Sequence, residues 1–184
     1  FEESIDVYDE ALSLVETPAE QHWSLFYALG VAHERAGNWA EAEKNFKRSL
    51  DLSPDQPLTL NYLGYSWIDQ DIRPQEALAL VTKAAELRPE DGFIIDSVGW
   101  GHYKLGNFAE AVKYLERAVE LQPTDPTIND HLGDAYWRVG RRLEARFQWR
   151  LALAMDPEED DIPEIQRKLT EGLDPISVRE ASNR

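Results

Sequence analysis

One pattern of residues occurs four times along this chain, and it constrains the fold more than any other feature. A glycine preceded by an apolar residue recurs at intervals of 34, 35 and 34 residues. An alanine that begins a second apolar stretch, and a closing proline, follow it with nearly the same spacing. The repeated residues are Gly30, Gly64, Gly99 and Gly133, then Ala42, Ala77, Ala111 and Ala145, then Pro54, Pro89, Pro123 and Pro157. A period of this size predicts stacked helix pairs, each burying its apolar face against its neighbours.

The small residues and the turn residues have physical roles in such a pair. Glycine and alanine at a helix crossing let two helices approach closely, so that larger neighbours fill the grooves between them. A further glycine in units one, three and four follows the first helix, where a left-handed backbone conformation favours glycine. The second unit has Asp71-Ile72-Arg73-Pro74 at this point, and we predict Pro74 in the first turn of the next helix.

The spacing of residues within a unit resembles the tetratricopeptide repeat. Unit one shows it in Phe26, Leu29, Gly30 and His33, followed by Ala42, Phe46 and Pro54. The resemblance extends over residues 23–157 and implies an all-α fold, a right-handed superhelical solenoid of antiparallel helix pairs. The predicted units are 23–56, 57–91 with a one-residue insertion, 92–125 and 126–159.

The two ends of the array are predicted from their apolar spacing. Residues 1–20 fit the second helix of a preceding unit, and the chain begins without methionine, so we expect it to be part of a longer protein. Residues 161–173 fit a capping helix, which a solenoid needs at its end. Residues 174–184 have little apolar content, and we expect them to form a mobile tail.

The composition excludes several classes of function. A net charge of −16 disfavours nucleic acid and adsorption to anionic lipid, and no apolar run is long enough to insert directly into a membrane. No cysteine is present, and the four histidines lack the spacing of a metal site. Motifs for phosphate, dinucleotide or nucleophilic chemistry are absent from the sequence. We therefore expect no cofactor, no metal and no enzyme activity.

The resemblance implies that the first helix of each unit lines a concave groove that binds protein. The residues it assigns to a peptide-binding site there are Asn61, Tyr62, Tyr65, Asp96, Trp100, Tyr103, Asp130, His131, Asp134, Trp137 and Arg138. Aromatic side chains are favoured interface anchors, and carboxylates beside them suit a lysine or arginine of the ligand. We therefore expect a protein or peptide partner of basic and apolar character. The alternative, that some of these aromatic rings pack between helices, stays open.

A narrower resemblance concerns the tracts 61–67, 91–100 and 127–137. They resemble repeat proteins of the Gram-negative envelope, including lipoprotein adaptors of carboxyl-terminal processing proteases. This implies a periplasmic or outer-membrane-associated location, with the cytoplasm as the alternative.

The sequence as a whole favours a non-catalytic scaffold or adaptor that binds a protein segment in its groove. Two alternatives remain: a solenoid that assembles with itself, and a repeat module of a larger protein that contains an enzyme.

Overall fold

The computed structural model describes residues 2–174, and every regular element in that range is a helix. Helix α1 (Glu2–Ser13) is followed by a short 3-10 helix (Glu20–His22). The helices that follow are α2 (Trp23–Arg35), α3 (Trp39–Leu52), α4 (Pro57–Asp69), α5 (Pro74–Leu87), α6 (Gly92–Lys104), α7 (Phe108–Leu121), α8 (Pro126–Arg138), α9 (Arg142–Ala154) and α10 (Ile162–Glu171). The predicted all-helical repeat solenoid is confirmed. The predicted mobile tail, apart from its first residue, lies outside the described residues.

Glycine allows close crossing of the two helices within a unit. A methyl group added to Gly30 would lie 2.6 Å from the ring of Phe46, and one added to Gly99 would lie 2.6 Å from Leu115. Phe46 and Leu115 are themselves completely buried, so neither side chain has free space to move into. The repeated glycine is therefore required by packing.

The turns between paired helices depend on a left-handed backbone. Gly37, Gly106 and Gly140 have φ values of 76°, 78° and 86°. In the second unit this conformation is adopted by Asp71 and Arg73, at φ 55° and 44°, which costs roughly 1–2 kcal/mol per residue that has a Cβ atom. Pro74 is the first residue of α5, as the sequence predicts.

The core runs between the two layers of helices along the whole array. One apolar cluster extends from α3 of unit one to Ile128 of unit four, and a second joins α7 to α8, α9 and α10. Fully buried side chains from both layers include Phe46, Leu63, Ile94, Leu115, Leu132 and Trp149. Each unit thus buries its apolar face against its neighbours rather than around one centre.

Two residues that depart from the tetratricopeptide pattern, His102 and Asn129, are accommodated between the packed helices. The His102 ring stacks on Tyr114 with centroids 5.4 Å apart, and burial lowers the pKa of His102. Asn129 replaces a large apolar residue and is completely buried. Its amide nitrogen donates to the backbone oxygens of Pro123 and Asp125 at 3.2 and 2.7 Å. Its side-chain oxygen is buried and has no hydrogen-bond partner among the described residues.

The terminal helices differ in how firmly they are attached. Helix α1 packs beside α2 and contains no buried residue. Helix α10 packs against α9 and buries Ile165 and Lys168. Among the helices described, none has the length and apolar character needed to cross a membrane.

Candidate functional site: the concave groove

The first helices of the four units, α2, α4, α6 and α8, form one continuous wall, which we call the inner face. Side chains on neighbouring inner helices are hydrogen-bonded to one another at distances of 3.0–3.3 Å. The bonded pairs are Glu34 with Tyr62, Asp96 with His131, and Tyr103 with Arg138. These contacts fix the positions of the side chains that a ligand on this face would meet.

A cavity of about 400 Å³ opens on the inner face between α4, α6 and the start of α8. The lining residues are Glu34, Asn61, Tyr62, Tyr65, Ser66, Asp69, Gln70, Phe93, Asp96, Ser97, Asp125, Thr127 and Ile128. Four of these are carboxylates and none is a lysine or arginine. A cationic group is therefore the charge that this cavity attracts.

The apolar surface of the cavity comes from aromatic rings. Burial raises the pKa of Tyr65, and the nearby carboxylates of Asp96 and Asp69 raise it further. Its phenol therefore stays neutral at physiological pH and can donate a hydrogen bond. Phe93 is 53% exposed and Tyr62 is half-buried, so both present ring surface to a ligand.

Two polar groups in the cavity have no partner among residues 2–174. The side-chain oxygen of Asn61 is buried yet accepts no hydrogen bond. The carboxylate of Asp69 lies exposed at the rim and forms no ion pair in the described part of the chain. An unpaired buried acceptor is costly, and a donor from a ligand would satisfy it.

Asp96 and His131 form a buried ion pair at the back of this wall. The Nδ1 atom of His131 lies 3.0 Å from the carboxylate of Asp96. Burial alone lowers the pKa of His131, but Asp96, Asp130 and Asp134 more than offset it, so the net pKa is raised. The imidazole stacks on Trp100 with centroids 4.0 Å apart, and Trp100 in turn stacks on Tyr103 at 4.6 Å.

Further along the inner face, two predicted ligand-binding carboxylates already hold a cation. The ammonium group of Lys168 on α10 donates to Asp130 at 2.7 Å and to Asp134 at 3.0 Å. Asp134 also accepts a 2.9 Å hydrogen bond from Trp149. Burial raises the pKa of Asp134 to about 6, although Lys168 acts in the opposite direction.

Trp137 and Arg138 are tied to the end of the array. The guanidinium groups of Arg142 and Arg146 lie 3.9 and 5.0 Å from the centroid of the Trp137 ring. Arg138 donates to the Tyr103 hydroxyl at 3.2 Å and to the backbone oxygen of Asp174 at 2.6 Å. Both side chains thus connect α8 to the segments that follow it.

The structure thus divides the predicted site residues into two groups. Asn61, Tyr62 and Tyr65 line the open cavity, and Asp96 forms part of its wall. The remaining residues make internal contacts beside it: Trp100, Tyr103, Asp130, His131, Asp134, Trp137 and Arg138. All three carboxylates predicted to hold a ligand cation already have a partner within the chain: Asp96 lines the cavity but contacts His131, and Asp130 and Asp134 contact Lys168.

Sequence reasoning missed the role of Lys168. This lysine follows Asp134 by 34 residues, one repeat period, so the spacing itself could have placed α10 as a fifth inner helix. Glu34, Asp69 and Phe93 also line the cavity. The repeat places them on the groove side of their helices, although the predicted site does not include them.

Comparisons with known proteins agree with the repeat pattern. Residues 23–56 match a family model described as tetratricopeptide repeat, and residues 102–140 match one described as TPR repeat. A TPR repeat-containing protein of Pseudomonas aeruginosa is 36% identical over 91 residues, which are 50% of this chain and 15% of that protein. The photosystem I assembly protein Ycf3 of Rippkaea orientalis is 35% identical over 92 residues, 47% of this chain and 53% of that protein. The chain thus spans at most about half the length of these two relatives.

Solved structures show the same fold. A MamA structure from Desulfovibrio magneticus RS-1 superimposes with a TM-score of 0.71 at 18% identity, covering 84% of each chain. A thermophilic TPR protein of Thermus thermophilus gives a TM-score of 0.68 at 21% identity, covering 97% of this chain and 87% of that one. At these identities the likeness concerns the fold alone.

Proposed function

We propose that this array of tetratricopeptide repeats is a non-catalytic adaptor that binds a protein segment in the cavity between α4, α6 and α8. The observation that carries the proposal is the cavity itself, which combines ring surface, four carboxylates and an unpaired buried acceptor. Proteins with such repeats generally mediate interactions between proteins, and this cavity offers a place for one.

The ligand segment carries one apolar or aromatic side chain and one lysine or arginine nearby. The apolar side chain packs on Tyr65 and Phe93, which supply contact area at low cost in conformational entropy. The cation lies towards Asp69, which has no ion pair of its own among the described residues. Asp96 contributes less because His131 already neutralises it.

The backbone of the segment would be recognised by Asn61. An N–H group of the ligand donates to its side-chain oxygen, which otherwise stays buried without a partner. This contact does not depend on the ligand's side chains, so it adds affinity while Tyr65 and Asp69 provide selectivity.

The relatives favour a role in bringing proteins together over catalysis. Ycf3 is named as an assembly protein, and the other curated relative is named only for its repeats. The narrower resemblance to adaptors of carboxyl-terminal processing proteases makes such a protease a candidate partner. Direct pull-down with a purified protease of that class would test this part separately.

Selection of short random peptides on the immobilised protein tests the groove. We expect enriched sequences that combine a basic residue with a leucine, phenylalanine or other large apolar residue. Fluorescence polarisation with one enriched peptide should show binding that Tyr65→Ala weakens by about 2 kcal/mol or more, as for an interface hot spot.

The matched control is Glu86→Gln, which removes an exposed carboxylate from the outer helix α5. It should leave binding unchanged, whereas Asp69→Asn should weaken it. Equal affinity of the wild type, Tyr65→Ala and Asp69→Asn proteins, all with the same helix content, would show that the cavity is not the binding site.

A further inference from the structure

A second surface lies on the outer helix of the last unit and differs in charge from the rest of the chain. Residues 138–150 contain five arginines and one glutamate, although acidic residues outnumber basic ones 35 to 19 overall. Two of the large apolar side chains most exposed to solvent, Leu143 at 84% and Phe147 at 56%, lie in the same stretch.

The basic and apolar side chains share one face of α9. At 3.6 residues per turn, five basic or apolar residues of α9 fall within an arc of about 140° around the helix axis, and Glu144 lies outside this arc. We call this set the α9 ridge: Arg142, Leu143, Arg146, Phe147 and Arg150. The ridge therefore presents a line of guanidinium groups beside a line of apolar side chains.

Two of the ridge arginines are held in place without being neutralised. Arg142 donates to the backbone oxygen of Trp137 at 2.6 Å, and Arg146 donates to the backbone oxygen of Leu169 at 3.2 Å. Both guanidinium groups also lie against the Trp137 ring, at 3.9 and 5.0 Å from its centroid. Neither forms an ion pair within residues 2–174, and Arg150 is exposed and forms none there either.

This arrangement contrasts with the other arginine at the start of α9. Arg141 pairs with Glu116 at 2.8 Å and also contacts Glu144, so its charge is already compensated. Among residues 2–174, the remaining N–H groups of Arg142 and Arg146 donate no hydrogen bond, and the fixed orientation of the two guanidinium groups reduces the entropy lost on binding. Carboxylates are the groups that such planar donors bind in pairs.

We propose that the α9 ridge binds an acidic protein segment that carries apolar side chains next to its carboxylates. The carboxylates pair with Arg142 and Arg146, and the apolar side chains cover Leu143 and Phe147. None of the ridge residues lines the cavity on the inner face, and the ridge has the opposite preference for charge. One adaptor would then hold a basic segment on its inner face and an acidic segment on its outer face.

Peptide selection distinguishes the two surfaces, because each should enrich its own class of sequence. We expect an acidic and apolar class whose binding weakens about tenfold or more in Arg142→Ala/Arg146→Ala, as the loss of paired charge-assisted hydrogen bonds implies. Arg142→Lys/Arg146→Lys keeps the charge but loses the planar geometry, and it should give an intermediate affinity. Leu143→Ser/Phe147→Ser changes only exposed side chains, so it should weaken the same class without altering helix content.

The matched control is Val7→Ser, which removes another exposed apolar side chain, 62% exposed on α1. It should bind the acidic class like the wild type, and the ridge variants should bind the basic class like the wild type. An absent acidic class, or one indifferent to all ridge variants, would overturn the proposal. If the wild type bound phosphatidylserine vesicles and Leu143→Ser/Phe147→Ser did not, the ridge would instead be a membrane-binding surface. If the wild type self-associated by mass measurement and the same variant did not, the ridge would instead bind a second copy of the chain.

Discussion

The ammonium group of Lys168 on α10 lies 2.7 Å from the carboxylate of Asp130 on α8. The same group donates to Asp134 at 3.0 Å, and only 6% of Lys168 is exposed. Both carboxylates thus depend on a residue outside the four repeats for their compensation. Helix α10 is attached to the inner face by this charge and to α9 by the buried side chain of Ile165.

Lys168→Met should destabilise the end of the array. Removing one partner of a buried ion pair leaves uncompensated charge, which typically costs about 3–5 kcal/mol. Urea unfolding should show this loss, and hydrogen exchange should place it in α8, α9 and α10. The additional change Asp134→Asn should recover part of the loss because it removes one buried charge. Equal stability of the wild type and Lys168→Met would show that the pair contributes nothing.

The stability of the protein should fall with increasing pH because of His131. Its pKa is raised in the folded state, so the His131–Asp96 pair contributes fully below the unfolded value of 6.5. That contribution is lost as the pH rises through the raised folded pKa. Urea unfolding across this pH range should give free energies of unfolding for the wild type and His131→Gln that approach each other as the pH rises. Parallel curves would contradict the assignment.

Gly99→Ala should destabilise the third unit despite the better helix propensity of alanine. The new methyl group would lie 2.6 Å from Cγ of Leu115, a clash in a fully buried site that typically costs about 1–3 kcal/mol. The propensity gain of about 1 kcal/mol does not offset it fully. Thermal unfolding of the double variant Gly99→Ala/Leu115→Ala should show less loss than the sum of the single variants. Simple additivity would mean that these two residues do not compete for space.

Asp69→Asn should slow association of a basic peptide more than it speeds dissociation. The carboxylate lies exposed at the rim of the cavity, and rim charges act mainly by steering the encounter. Stopped-flow measurements at several salt concentrations should give a flatter dependence of the association rate for the variant. The control is Glu86→Gln, which changes the net charge by the same amount at a site outside the cavity. If it slowed association equally, the effect of Asp69→Asn would be due to net charge alone.

The helix pairs could be predicted from the sequence because the repeat acts through local rules. Gly99 and Ala111 recur at fixed spacing since the same helix crossing is built in every unit, and one crossing explains four. The turn of unit two was also predictable, because Pro74 fixes where the next helix begins.

The candidate site was less predictable because its contacts join residues far apart in the sequence. Asp134 and Lys168 are 34 residues apart, and nothing local to Asp134 shows that its carboxylate is already paired. The sequence predicts that Trp100 contacts the ligand, but it does not show that the Trp100 ring stacks between Tyr103 and His131. Helical phase shows which face a side chain occupies but not which neighbour covers it.

The position of α10 has a consequence for engineering. Because Lys168 follows Asp134 by one period and contacts it, α10 sits where the inner helix of a further unit would sit. We expect an outer helix grafted after Leu173 to pack on α10 and form a fifth unit. The C-terminal end of α10 would then be the place at which further helices can be added to lengthen the groove.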